Sequence, residues 1–263
     1  MLNKLLKYDL KYMIKNMGLF YILAIFFAIT TRLLFSLEQT FIINIIGQIS
    51  VGCMFSIMAN ILINVLMRSW IRFRDSIYKD EGYLTNTLPV TKNDIYNSKF
   101  IQTLIFFTTS FIIVIISLLI AYYTKDRWIM ITDLINSITT GLDINTTLFV
   151  ISLIVIIFLE VFNAIQSGFL GIILGYKKNN NKIGFSVLYG FIAYLLSQCL
   201  VLISIFIIGL FNSDIMNLFK SNVILSTSSF KLLIVVAILL YLFVIFIMNL
   251  YNKKQFNKGV NIE

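Results

Sequence analysis

The sequence contains no histidine and a single proline, Pro89. Without imidazole there is no Ser-His or Cys-His nucleophile pair and no histidine-ligated metal. Cysteine is nearly absent. Cys53 and Cys199 each lie inside an apolar run, where they read as small hydrophobes and not as a disulfide framework or a metal site. Charge is scarce as well, at 13% of 263 residues, against about 25% in an ordinary soluble domain. The patterns G-x-x-x-x-G-K-[ST], H-E-x-x-H and G-x-S-x-G do not occur. Nothing in the chain therefore points to ATP hydrolysis or any other catalysis of its own, and no cofactor is expected within it.

What is abundant is apolar: 59% of the residues are hydrophobic. They come in long runs and not in alternating stripes, more than the surface-to-volume ratio of a soluble domain this size could hide. Runs of about 20 apolar residues are the length that crosses a bilayer. Six are predicted, at 18–37, 41–67, 100–123, 147–175, 183–211 and 231–251. The expected fold class is an all-α integral membrane protein, a single transmembrane domain over 1–263. The first run has no small-residue cleavage site, so a retained first helix is expected rather than a cleaved signal.

Basic residues orient the spans. Sixteen of the 21 lysines and arginines fall in 1–17, 68–99, 176–182 and 252–263, together with six acids. The intervening segments on the other side hold five bases and five acids, and Glu160 lies within a span. The positive-inside rule places the basic side, with both termini, in the cytoplasm. The basic balance is then a topology signal, and no nucleic-acid partner is implied.

Four features stand out against this background. In 1–17 the residues Leu2, Leu5, Leu6, Tyr12, Met13 and Met17 recur at helical spacing, broken only by Asp9; this predicts an amphipathic helix lying along the cytoplasmic leaflet. The loop 68–99 is long and aromatic, and its residues Tyr83, Leu84 and Leu88, in an extended turn, suit docking to a partner. Thr91 and Asp94 form a helix-start signal ahead of the third span. In the second span Asn44, Gln48, Gly52, Ser56, Asn60 and Asn64 follow one another every four residues, a stripe suited to helix packing or to a polar path. In the fourth span Glu160, Asn163 and Ser167 share a face, and Gly171 and Gly175 make a close-packing pair. An intramembrane carboxylate is costly and avoids lipid. It is either a substrate-path or proton-linked acid, or a structural group bonded across helices.

Taken together, three elements resemble the ABC type-2 exporter permeases, the membrane subunits of bacterial ATP-binding-cassette exporters. They are the basic amphipathic opening Leu2-Asn-Lys-Leu-Leu-Lys-Tyr-Asp-Leu10, the stretch Asp80-Glu-Gly-Tyr-Leu-Thr-Asn-Thr-Leu-Pro-Val90 followed by Thr91-Lys-Asn-Asp-Ile-Tyr-Asn-Ser-Lys99, and the six-span layout with both ends inside. The resemblance implies a bacterial cytoplasmic-membrane permease without an ATPase of its own. A separate cytoplasmic ABC ATPase would bind ATP and Mg and touch the 68–99 coupling loop through Arg74, Asp75, Glu81, Gly82, Tyr83, Leu88 and Pro89. A second permease subunit, identical or related, would complete the substrate path. That path would draw on Glu160, Asn163, Ser167, Asn60 and Asn64, and the cargo by analogy would be an antimicrobial peptide, drug or lipid. Larger members re-enter the membrane between the last two spans, a feature not expected of the short polar segment 212–230. The competing reading is a secondary transporter or channel that needs no ATPase, with Glu160 as its ion or proton site.

Overall fold

A computed structural model describes residues 2–38, 40–216 and 227–259. Among them every regular element is helical: α1 (Leu2–Ser36), α2 (Phe41–Tyr78), α3 (Asp80–Thr87), α4 (Lys92–Tyr122), α5 (Lys125–Gly141), α6 (Thr146–Gly175), α7 (Lys182–Phe211), α8 (Ser213–Met216) and α9 (Thr227–Asn257). Six of them, α1, α2, α4, α6, α7 and α9, are long and apolar enough to cross a membrane. The chain is thus a multi-pass membrane protein with the six spans expected. Most of the segment 212–230 lies outside the described residues.

From Leu2 onward the amphipathic segment and the first span are one uninterrupted helix, not two elements meeting at residue 18. The cause is a shared buried face. Asp9, Met13, Met17, Ala24, Ala28 and Thr31 are all buried, at spacings of three, four or seven, so one stripe serves both halves. The expected loop 68–99 is also mostly helix. α2 runs on to Tyr78, α3 follows, and α4 begins at Lys92. Thr91 caps α4 as anticipated: its Oγ1 accepts from the Asp94 amide at 3.1 Å and donates to Asp94 Oδ2 at 2.9 Å. Pro89 acts through Leu88, which is extended (φ −63°, ψ 141°) and ends α3, as the residue before a proline must. The segment between α4 and α6, read from sequence as an outer loop, contains α5.

The chain divides into two compact units, Met1–Ile129 and Met130–Glu263. In the first, α1 packs on α2 and α4, and α3 packs on α2. α2 contributes Gly47, Ser50, Met54, Met58, Ile61, Val65, Ser69 and Phe73 to the buried face. Small hydroxyls stitch the helices: Thr31 to Ser50 at 2.9 Å and Tyr21 to Ser110 at 2.7 Å. Arg32 donates to the Ile120 and Tyr123 carbonyls at 3.0 and 3.2 Å, satisfying groups left open at the end of α4. In the second unit α6 packs on α7 and α9. Gly171 and Gly175 lie so close to α7 that a Cβ on either would collide with the backbone at Ser186. This is the close small-residue crossing anticipated for membrane helices.

Candidate functional site

Two clusters of polar side chains stand out, one in each unit. The first is built around Asp9, the one residue that spoils the apolar face of the amphipathic segment. Its side chain is 3% exposed and receives Lys99 Nζ at 2.6 Å and Arg72 Nε at 3.1 Å on Oδ1. Ser98 Oγ donates to Oδ2 at 3.4 Å. Arg72 stacks over the Tyr12 ring at 4.6 Å and turns its Nη1 to Glu81 Oε2 at 2.6 Å. Four helices are therefore joined by charge: α1 through Asp9, α2 through Arg72, α3 through Glu81 and α4 through Lys99. A cavity of about 130 Å³ opens beside them, lined by Asp9, Arg72, Ser76, Thr85, Ser98 and Lys99 among others. Burial makes Asp9, Lys99 and Arg72 dependent on one another, since an unpaired buried ion costs several kcal/mol, whereas Glu81 is 56% exposed and meets Arg72 at the rim.

α3 is fixed on this cluster from below as well. Gly82 is buried, and a Cβ there would strike the Ile77 carbonyl. Its amide donates to the Lys79 carbonyl at 2.6 Å. Asn86 Nδ2 donates to the Gly82 and Ile77 carbonyls at 2.8 and 3.3 Å, tying α3 to the end of α2. The outer side of this helix and its exit are exposed: Tyr83, Leu84, Leu88 and Pro89 all face away from the protein. Of the residues proposed for coupling, Glu81, Gly82, Tyr83, Leu88 and Pro89 are thus gathered on α3 and its exit. Arg74 and Asp75 are not in the cluster. They pair with each other at 2.7 Å, and Lys79 stands 3.9 Å from Asp75. Sequence reasoning missed Arg72 and Lys99. The available signal was Asp9, an acid on an apolar helix face that requires a basic partner.

The second cluster is the Glu160 seam. Tyr194 OH and Gln198 Nε2, both from α7, donate to Glu160 Oε1 at 2.5 and 2.8 Å. From α9, Tyr241 OH donates to Gln198 Oε1 at 3.1 Å. One turn along, Asn163 Nδ2 donates to Ser197 Oγ at 2.8 Å, and Ser167 Oγ donates to the Asn163 carbonyl at 2.9 Å. Glu160, Asn163 and Ser167 do share one seam, as their spacing predicted. Glu160 Oε2 and Asn163 Oδ1 are buried and have no hydrogen-bond partner among the described residues.

Asn60 and Asn64 belong to neither cluster. The stripe on α2 points away from the buried face: Asn44, Gln48, Gly52, Ser56 and Asn60 are exposed, and Asn64 is half-buried. Asn60 and Asn64 donate to carbonyls of their own helix, Ser56 at 3.0 Å and Asn60 at 2.9 Å. No group of three or more metal-ligating side chains forms among the described residues. No family model, curated protein or solved structure matches the chain.

Proposed function

We propose that the chain is the membrane-spanning permease subunit of an ABC exporter, in the bacterial cytoplasmic membrane with both termini inside. A separate cytoplasmic ATPase would supply the energy from ATP and Mg, and a second permease subunit would face this one across the substrate path. The observation that carries the reading is the construction of α3. It presents an exposed apolar surface of Tyr83, Leu84 and Leu88, while Glu81 on the same helix is held by Arg72, which also holds buried Asp9. A push on the exposed side of α3 would reach α1, α2 and α4 through Arg72, which meets Glu81 at the exposed rim and Asp9 in the interior, where the pair cannot part cheaply. The exposed amides on α2 support a second subunit. Amides facing acyl chains are unfavourable, and a neighbouring copy offers both donors and acceptors to meet them.

The test is affinity purification of the tagged full chain from its native membrane in mild detergent. The expected result is a co-purifying soluble protein that carries ATP-binding motifs and is lost on Gly82→Val, with the variant still inserted. Recovery of the chain alone in several detergents overturns the reading. The second reading, a transporter that uses no ATPase, rests on Glu160 Oε2, a buried carboxylate oxygen without a hydrogen-bond donor among the described residues. It requires substrate movement by the purified chain in vesicles, driven by an ion gradient and lost in E160Q.

A further inference from the structure

α5 was not foreseen from sequence, and its chemistry is independent of the ATPase question. It joins α4 to α6 through links of two and four residues, 123–124 and 142–145. Its 17 residues include Lys125, Asp126, Arg127 and Asp133, too many charges for a helix of barely spanning length to cross a bilayer. Both of its ends therefore stay at the membrane face where α4 ends and α6 begins. Local contacts secure each end. Arg127 Nη1 donates to the Tyr122 carbonyl at 3.4 Å, and its guanidinium lies over the Tyr122 ring. Thr139 Oγ1 shares a hydrogen bond with Thr146 Oγ1 at 3.0 Å, and Thr146 donates to Asn136 Oδ1 at 3.1 Å.

The helix is two-faced. At 100° per residue, Trp128, Met130, Ile131, Leu134, Ile135 and Ile138 occupy one arc. Lys125, Asp126, Asp133, Asn136, Ser137 and Thr140 occupy the other. Ile129 is an exception, and Arg127 lies on the apolar side but is drawn off to Tyr122. The residues that bond to α6, Asn136 and Thr139, lie on the polar arc, so the apolar arc is turned away from that junction. Trp128, Met130, Leu134 and Ile138 are 48–66% exposed. Trp128 also packs against Tyr123 at 6.1 Å, the aromatic pairing common where a span meets headgroups.

We propose that α5 lies in the bilayer interface and that lipid covers its apolar arc. Acyl chains receive Met130, Leu134 and Ile138, while the charged arc faces water. The placement follows from tethering: a helix held at both ends within a few residues of two spans has the membrane surface beside it. Two basic and two acidic residues cancel on α5, so the attraction is hydrophobic, and zwitterionic lipid suffices. The expected depth is about 5–10 Å, that of interfacial amphipathic helices.

The test uses the full chain in phosphatidylcholine vesicles, with Cys53→Ser and Cys199→Ser and a nitroxide at one new cysteine. At L134C and I138C the label is expected to collide with dissolved oxygen and be shielded from a water-soluble nickel chelate. At D133C the preference reverses. Nickel access at 134 equal to that at 133 overturns the proposal, because the helix then stands in water. Spin–spin broadening at 134 between copies also overturns it, because a second protein copy then covers the arc. Trp128 gives an independent reading. In a Trp70→Phe background its emission is quenched by shallowly brominated lipid if the proposal holds, and unaffected if it does not.

Discussion

The Asp9 cluster and the Glu160 seam solve the same problem in different ways. Both hold a carboxylate within a helical bundle that has little polar material to spare. Asp9 is compensated by full charges, Lys99 and Arg72, and the second of these passes on to Glu81. Among the described residues Glu160 is met by neutral donors, the Tyr194 hydroxyl and the Gln198 amide on one oxygen, with the Tyr241 hydroxyl also interacting with it. The buried pairs of Asp9 with Lys99 and Arg72 resist being pulled apart, which suits a mechanical joint. A carboxylate with an unfilled oxygen retains capacity to bind, which suits a site whose occupant changes. The contrast sets a joint locked by charge in the first unit against a seam of neutral polar groups in the second.

Breaking the Asp9 cluster gives the largest effect. Asp9→Asn strands the Lys99 ammonium in a site 6% exposed and should destabilise the chain by about 3–5 kcal/mol, read as a lower unfolding midpoint in detergent. The double variant D9N/K99M removes the stranded charge as well, and is expected to recover part of the loss, because Arg72 keeps Glu81. If D9N unfolds like the native chain, the cluster holds nothing together and the contrast with Glu160 disappears.

The Glu160 seam should respond less, and in a graded way. Glu160→Leu leaves the Tyr194 hydroxyl and the Gln198 amide facing a side chain that accepts nothing, a cost of about 1–3 kcal/mol. Glu160→Gln preserves an oxygen for both donors and should stay within about 1 kcal/mol of the native chain. Equal loss in both variants would mean that the carboxylate charge matters to the fold, bringing the seam closer in kind to the Asp9 cluster.

How far the sequence anticipates these features depends on how local each one is. The six spans are legible because apolar run length is a property of consecutive residues. The Thr91–Asp94 cap and the Glu160–Asn163–Ser167 face are legible for the same reason, as both fall within two turns. Asp9 is visible as an anomaly, but its partners are 63 and 90 residues away and nothing local selects Arg72 over Arg74. The joining of 1–17 to the first span was obscured by the change from basic to apolar composition at Gly18, whereas the buried stripe runs straight through it. α5 was hidden by its charges. A hydropathy reading averages Lys125, Asp126, Arg127 and Asp133 with their apolar neighbours, and only the 130–134–138 periodicity separates the two arcs. The α2 stripe is on the helix expected, but its amides face outward, away from the chain's own packing.

The smallest effect on the fold should accompany the sharpest effect on function. Leu84 is 74% exposed on α3 and lies outside the Asp9 cluster, so Leu84→Asp should change stability by no more than about 0.5 kcal/mol. If α3 docks an ATPase through an apolar contact, a carboxylate at the centre of that contact is desolvated without a partner, and binding falls by tenfold or more, roughly the 1.4 kcal/mol that separates decades of affinity. Arg72→Gln is its complement. It leaves Tyr83 and Leu84 in place but cuts Glu81 from Asp9, so under the proposed function an ATPase would still bind while its ATP hydrolysis would no longer drive substrate movement. L84D failing at binding and R72Q failing only at transport would separate docking from transmission. If both variants lose the partner together, Arg72 serves to shape α3, and the charge cluster is a scaffold for the docking surface and not a link beyond it.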